Sequence, residues 1–192
     1  MSKHVQLIIG STRQNRLSPT IAEWIKQQVA GYEDLELEVI DLKEVNLPLF
    51  DEPLPPSMAP ASSPAANKWR AVVEKADAFI FLTSEYNAGY PAPLKNAIDY
   101  FKTEWQNRPV AIVSYGFGGG VSAATQLGQV FARIGADQVK QSVNIDLGPV
   151  LNDKGGITDP TTALGEYEAP LQAALDEIVA HKPVEVEAET QA

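Results

Sequence analysis

The sequence contains no cysteine and only two histidines, His4 and His181, far apart along the chain. The missing cysteine excludes a disulfide framework, a thiolate nucleophile and every cysteine-ligated metal centre, and two scattered imidazoles make a poor zinc site. Positive charge is scarce as well: 15 Lys and Arg stand against 25 Asp and Glu, for a formal net charge of -10. Such a field repels phosphate backbones and anionic lipid, so neither nucleic acid nor a membrane surface is an expected partner. Any anion that does bind needs a local cationic pocket. Long hydrophobic runs are absent too. The early apolar stretch at residues 5–9 is broken by Gln6 and is too short for a signal-peptide core or a membrane span. A soluble, cytoplasmic protein is the expectation. No internal repeat is visible.

What is present suits one domain of ordinary size, because 192 residues with 44% hydrophobic content can bury a core that folds unaided. Residues 1–182 read as that domain, and residues 183–192, mostly Glu, Ala and Val, as a disordered acidic tail. The chain alternates two periodicities. A β-rich run ends at Gly10, and a polar loop leads to Ser18-Pro19, placed as N-cap and first helical position. Ile21, Ala22, Ile25 and Val29 then recur at helical spacing up to Gly31. A second strand follows at residues 35–41. Residues 46–64 carry six prolines and neither periodicity, which predicts a long loop: a lid, a partner contact or a plain solvated connector. Helical spacing around Trp69, Val72, Val73 and Ala76 precedes the continuous apolar run 78–82, a strand for the centre of a parallel sheet. A helix is expected over 94–105, a strand at 110–113, a glycine-rich loop over 114–120, and a helix closed by Gly135. A weaker last strand at 138–147 and a final helix through Leu171, Leu175 and Ile178 complete the pattern.

Strands alternating with helices imply right-handed crossovers and an α/β fold with helices on both faces of the sheet. Five parallel strands suit the flavodoxin-like three-layer α/β/α sandwich of order 2-1-3-4-5. In such a sheet ligands bind beyond the carboxyl ends of the strands where the winding reverses, so the loops after strands one, three and four are the candidates.

The first loop is G-S-T-R-Q-N-R-L-S from Gly10 to Ser18. Amides at a helix N-terminus, the hydroxyls of Ser11, Thr12 and Ser18, and a bidentate Arg13 together suit a monophosphate, although an ordinary polar turn has the same composition. Arg16 is the weaker candidate and reads equally as a solvated side chain. The loop matches neither the triphosphate-binding loop nor the dinucleotide fingerprint. The second loop carries Glu85-Tyr86-Asn87, followed by L-K-N-A-I-D from Leu94 to Asp99. Taken alone it is a turn before a proline-started helix. The third runs from Ser114 through Tyr115 and Gly116 to Gly118, Gly119 and Gly120, where four glycines in five positions let backbone approach a flat ring.

The E-Y-N loop, the L-K-N-A-I-D helix and the G-S-T-R loop together resemble the NADPH-dependent FMN reductase family, which includes quinone, azo-dye and chromate reductases. The resemblance runs in order from about Val5 to Asp146. It implies bound FMN, with Ser11, Arg13 and Ser18 at its phosphate and Glu85, Tyr86 and Asn87 along the ribityl chain and ring. Ser114, Tyr115, Gly116, Gly118 and Gly119 would lie at the isoalloxazine edge, with their amides stabilising the reduced ring. Many relatives have proline where this chain has Ser84. Lys95, Asn96 and Asp99 are assigned to packing and helix solvation. Implied turnover takes hydride from NADPH or NADH and passes it to a quinone, an azo compound, a metal oxyanion or free flavin in the same cleft. An FMN electron carrier or an interaction protein is the alternative. The resemblance also implies a homodimer or homotetramer, with Tyr90, Trp105 and the proline-rich loop as contact candidates.

Overall fold

The computed structural model describes residues 2–182, and the expected tail therefore lies outside the described residues. The chain runs β1 (Lys3–Ile9), α1 (Ser18–Val29), β2 (Leu35–Asp41), α2 (Leu42–Val45), α3 (Pro64–Val73), β3 (Ala78–Ser84) and α4 (Ala92–Asp99). It continues with β4 (Pro109–Gly116), α5 (Val121–Ile134), β5 (Asp137–Gln138), β6 (Val143–Asp146), α6 (Leu147–Val150), α7 (Pro160–Ala163) and α8 (Glu168–Ala180). The sheet order is β2-β1-β3-β4-β5, with β6 also pairing β4, and every pairing is parallel. This is the expected doubly wound topology.

The period-two pleat sends alternate side chains to opposite faces. Leu7, Ile9, Ala78, Ile80, Leu82 and Val113 join Ile21, Trp24 and Ile25 of α1 and Leu171, Leu175 and Ile178 of α8 in one apolar layer. Ile8, Phe79, Phe81 and Ile112 join Trp69 of α3, Leu94 and Ile98 of α4, and Leu127 and Phe131 of α5 in the other. Every residue of β3 and of β4 is buried, which explains their unbroken apolar runs.

Three elements depart from the sequence reading. The last strand is two pieces, because the amides of Lys140 and Gln141 donate to the Glu177 carboxylate on α8 rather than to the ladder. Helix α4 stops at Asp99 and not at 105: the Ile98 carbonyl accepts from Phe101 N and from the Trp105 indole, and the chain turns there. Trp105 is thereby sealed in the core at 0% exposure, beside Phe79 and Phe81, and is no candidate for a subunit contact. Strand β4 continues through Ser114, Tyr115 and Gly116, so the third loop begins three residues later than its composition suggested.

Candidate functional site at the sheet switch point

Strands β1 and β3 are neighbours whose crossovers leave in opposite directions, and the three unusual loops meet at their carboxyl ends. Gly10 brings the first loop close to the sheet: its amide donates to the Leu82 carbonyl at 2.9 Å. A Cβ added there would stand 2.9 Å from Leu94 Cδ2 and 3.2 Å from that carbonyl oxygen.

Ser11 and Ser18 are both fully buried. Ser18 is the first residue of α1 rather than its N-cap; Leu17 occupies the cap and supplies no side-chain acceptor. The difference has a cause in the tertiary structure, since Ser18 Oγ shares a 2.8 Å hydrogen bond with Tyr115 Oη of β4. Ser11 Oγ shares one of 2.5 Å with Tyr86 Oη of the second loop. Helix α1 therefore opens with no side-chain cap and no acidic residue in its first turn, which leaves its positive end facing the loop. Arg13 is exposed and makes no hydrogen bond or ion pair among the described residues. Arg16 is not a solvated side chain. Its guanidinium donates to the Ser11 carbonyl at 2.8 Å and pairs with Asp41 at the end of β2, with 10% of the side chain exposed. The inner arginine braces the loop, and the outer one is available to an anion.

The second loop is a tight hairpin. Tyr86 and Gly89 exchange backbone hydrogen bonds of 2.8 and 3.0 Å around Asn87 and Ala88, both at positive φ. Gln126 of α5 donates to the Ala88 carbonyl at 2.7 Å and holds the turn. Glu85 accepts from Ala123 N at 3.1 Å, placing its charge on the N-terminal turn of α5. Tyr86 and Asn87 are exposed on the turn. Asn96 accepts from Phe50 N and donates to the Pro48 carbonyl, and Lys95 pairs with Asp99 one turn on, so these three residues serve the structure as expected.

In the third loop Gly118, Gly119 and Gly120 all have positive φ. The Gly118 amide donates to Asp146 Oδ1 at 3.0 Å and the Gly119 amide to the Gly116 carbonyl at 3.1 Å. Those two amides are engaged within the protein, whereas Phe117 N has no partner among the described residues. Ser114 is buried under the loop, donates to the Gly119 carbonyl and accepts from Asn144 Nδ2, each at 2.7 Å. Burial pushes the Tyr115 phenol above its ordinary pKa, and the hydroxyls of Ser18, Ser11 and Ser84 pull against that rise without cancelling it. Asp146 is held below the usual aspartate range by the amides of Gly148 and Gly118.

Asn144, Asp146 and the Arg16–Asp41 brace escaped the sequence reading. A carboxylate at a strand end before Leu-Gly-Pro is a sequence signal for Asp146 as a helix cap, but its bond to Gly118 follows from the pairing of β6 with β4. Alongside the first loop lies a cavity of 180 Å³ lined by Thr12, Leu42, Lys43, Asn46, Leu47, Pro93 and Asn96. Among the described residues no cluster of acids and histidines suits a metal ion, and no helix is long and apolar enough to cross a membrane.

A phosphoryl group at the first loop would meet an uncapped helix end, inward-facing serine hydroxyls and the unpaired Arg13. The chain is 33% identical over 177 residues to an NAD(P)H-dependent FMN reductase of Schizosaccharomyces pombe, covering 90% of this chain and 87% of that one. It is 26% identical over 166 residues to a quinone reductase of Pseudomonas putida, covering 82% and 86% of the two chains. The fold superposes on FerB, a flavoenzyme NAD(P)H:(acceptor) oxidoreductase from Paracoccus denitrificans, with a TM-score of 0.72, 24% identity, and coverage of 93% of this chain and 98% of that one. The family model described as NADPH-dependent FMN reductase matches residues 4–149, which hold all three loops, and the chain belongs to that family.

Proposed function

We propose that the protein is an NAD(P)H-dependent reductase that holds FMN across the three loops and passes reducing equivalents from NADPH or NADH to a small acceptor. Quinones, azo compounds, metal oxyanions and free flavin are the acceptor classes. The observation that carries this reading is the convergence, at one switch point, of an open helix end with buried hydroxyls and a glycine loop at positive φ. The chemistry FMN supplies when bound is two-electron transfer between nicotinamide and acceptor, for which the protein needs no nucleophile of its own.

The residues divide the task. Ser11, Ser18 and Arg13 bind the phosphoryl group, and Arg16, tied to Asp41, keeps that loop in place. Tyr86 and Asn87 on the hairpin and Ser114, Tyr115 and Gly116 at the end of β4 border the ring. Gly118 and Gly119 shape the loop through Asp146 and Asn144, and Glu85 fixes the hairpin to α5. Phe117 N, unlike the engaged amides of Gly118 and Gly119, would be a free donor toward the ring.

We assign the protein to the cytoplasm as a homodimer or homotetramer. Leu49, Leu54 and Met58 of the proline-rich loop are 79%, 47% and 73% exposed, an apolar surface that supports a subunit contact. The test of function is anaerobic addition of NADPH to purified protein loaded with FMN. Bleaching of the flavin absorption, restored by a quinone, is expected; a spectrum that NADPH and NADH both leave unchanged overturns the assignment.

A further inference from the structure

The hydroxyl of Ser84 lies near Tyr115 Oη, which is engaged by Ser18, but closes no hydrogen bond of its own, although the residue is only 3% exposed. A buried hydroxyl without a partner costs stability, and it persists where something outside the chain completes it. Its position identifies that something. Ser84 is the last residue of β3 and continues the row Ala78, Ile80, Leu82, which faces α1. Its register partner on β4 is Tyr115. On the other side Leu82 pairs with Ile9, so Ser84 ends its row beside the start of the first loop.

The side chains gathered there are Ser11, Ser18, Tyr86 and Tyr115, all hydroxyls, and they are linked in two pairs. The neighbouring acids are occupied elsewhere, Asp41 by Arg16 and Glu85 by the first turn of α5. Below the uncapped helix end Tyr86 and Tyr115 can donate to Ser11 and Ser18, which leaves the protons of those two serines and of Ser84 for one acceptor, and a phosphoryl dianion is acceptor only. Burial keeps the Tyr115 phenol protonated, so it remains a donor within this set.

We infer that Ser84 is a further FMN-binding residue, the floor of the phosphate cradle, and that its hydroxyl donates to a phosphoryl oxygen. This rests on the proposed flavin site. The hydroxyl is retained for the ligand at the expense of the free protein, so removing it moves two measurements in opposite directions.

The test compares wild type with Ser84→Ala, each stripped of flavin, by fluorescence-quenching titration with FMN and with riboflavin and by thermal melting of the free protein. The substitution should weaken FMN binding about tenfold or more, the range of a hydrogen bond to a charged group. Riboflavin, which lacks the phosphate, should bind both proteins alike, and the free variant should melt at or above the wild-type temperature. Equal losses for FMN and riboflavin, unchanged FMN affinity, or a variant that melts well below wild type each overturn the inference, the last because the hydroxyl then has a structural partner. Wild-type protein that binds neither flavin instead removes the proposed site itself.

Discussion

Single residues in the loops differ in what a methyl group would cost. Gly118 has a φ of +78° and open space where a Cβ would stand, so Gly118→Ala carries only backbone strain. We expect about 1 kcal/mol of lost stability from that strain. Gly120, at +67°, would also press its Cβ to 3.0 Å from the Tyr115 carbonyl oxygen. Gly120→Ala should therefore cost roughly 2–3 kcal/mol, strain and contact together. Urea denaturation of both variants checks the order, and equal losses contradict it. Ala88 presents the reverse case, a residue with a Cβ held at a φ of 61°. Ala88→Gly should raise stability by up to about 1 kcal/mol, read from the same denaturation curves.

Between elements, two arginines tie loops to the scaffold. Arg16 joins the first loop to the end of β2, and its loss leaves Asp41 without its partner. Arg16→Ala should destabilise the protein by about 2 kcal/mol, as for a lost charge-assisted hydrogen bond, and weaken FMN binding by loosening the loop. A titration showing wild-type affinity would place the phosphoryl group elsewhere. Arg70 of α3 donates to Glu104 at 2.8 Å and to the Ala61 carbonyl at 2.9 Å, linking the proline-rich segment to the turns after α4. Burial pushes the Glu104 carboxyl up, but the hydrogen bonds from Arg70 and Thr103 outweigh it and hold the carboxyl below the usual range. Because the folded-state pKa is depressed, the contribution to stability is present above the unfolded carboxylate pKa, near ~4.3, and is lost as pH falls through the folded value. Melting temperature should drop on acidification below that point, and less steeply in Glu104→Gln. Parallel acid limbs for the two proteins would remove Glu104 from the account.

For the molecule as a whole, the proposed assembly predicts a sedimentation mass at least twice the 20.8 kDa of the chain. A mass near 20.8 kDa would leave the exposed Leu49, Leu54 and Met58 without that role. The architecture was legible because burial imposes periodicity on local sequence: the unbroken apolar run 78–82 has to lie mid-sheet, and the 3.6-residue spacing of Val121–Ile134 has to pack on it. The composition of the three loops was legible for the same reason, since a strand or helix interior rejects their glycines, prolines and paired polar residues. The sequence alone therefore determined the alternation of strands and helices and the parallel sheet between two helical layers, and it pointed to the three loops of the candidate site. Roles within the loops came only with the tertiary structure. Arg13 and Arg16 are three positions apart and look alike in the sequence, yet one is exposed and the other is enclosed against Asp41, 25 positions further on. Ser18 looks like a cap until β4 brings Tyr115 to it, and Ser84 looks like the end of a strand until the surrounding hydroxyls leave it unpaired. A side chain's function here depends on which groups the crossovers bring within about 3 Å of it, and spacing along the chain carries no record of those distances.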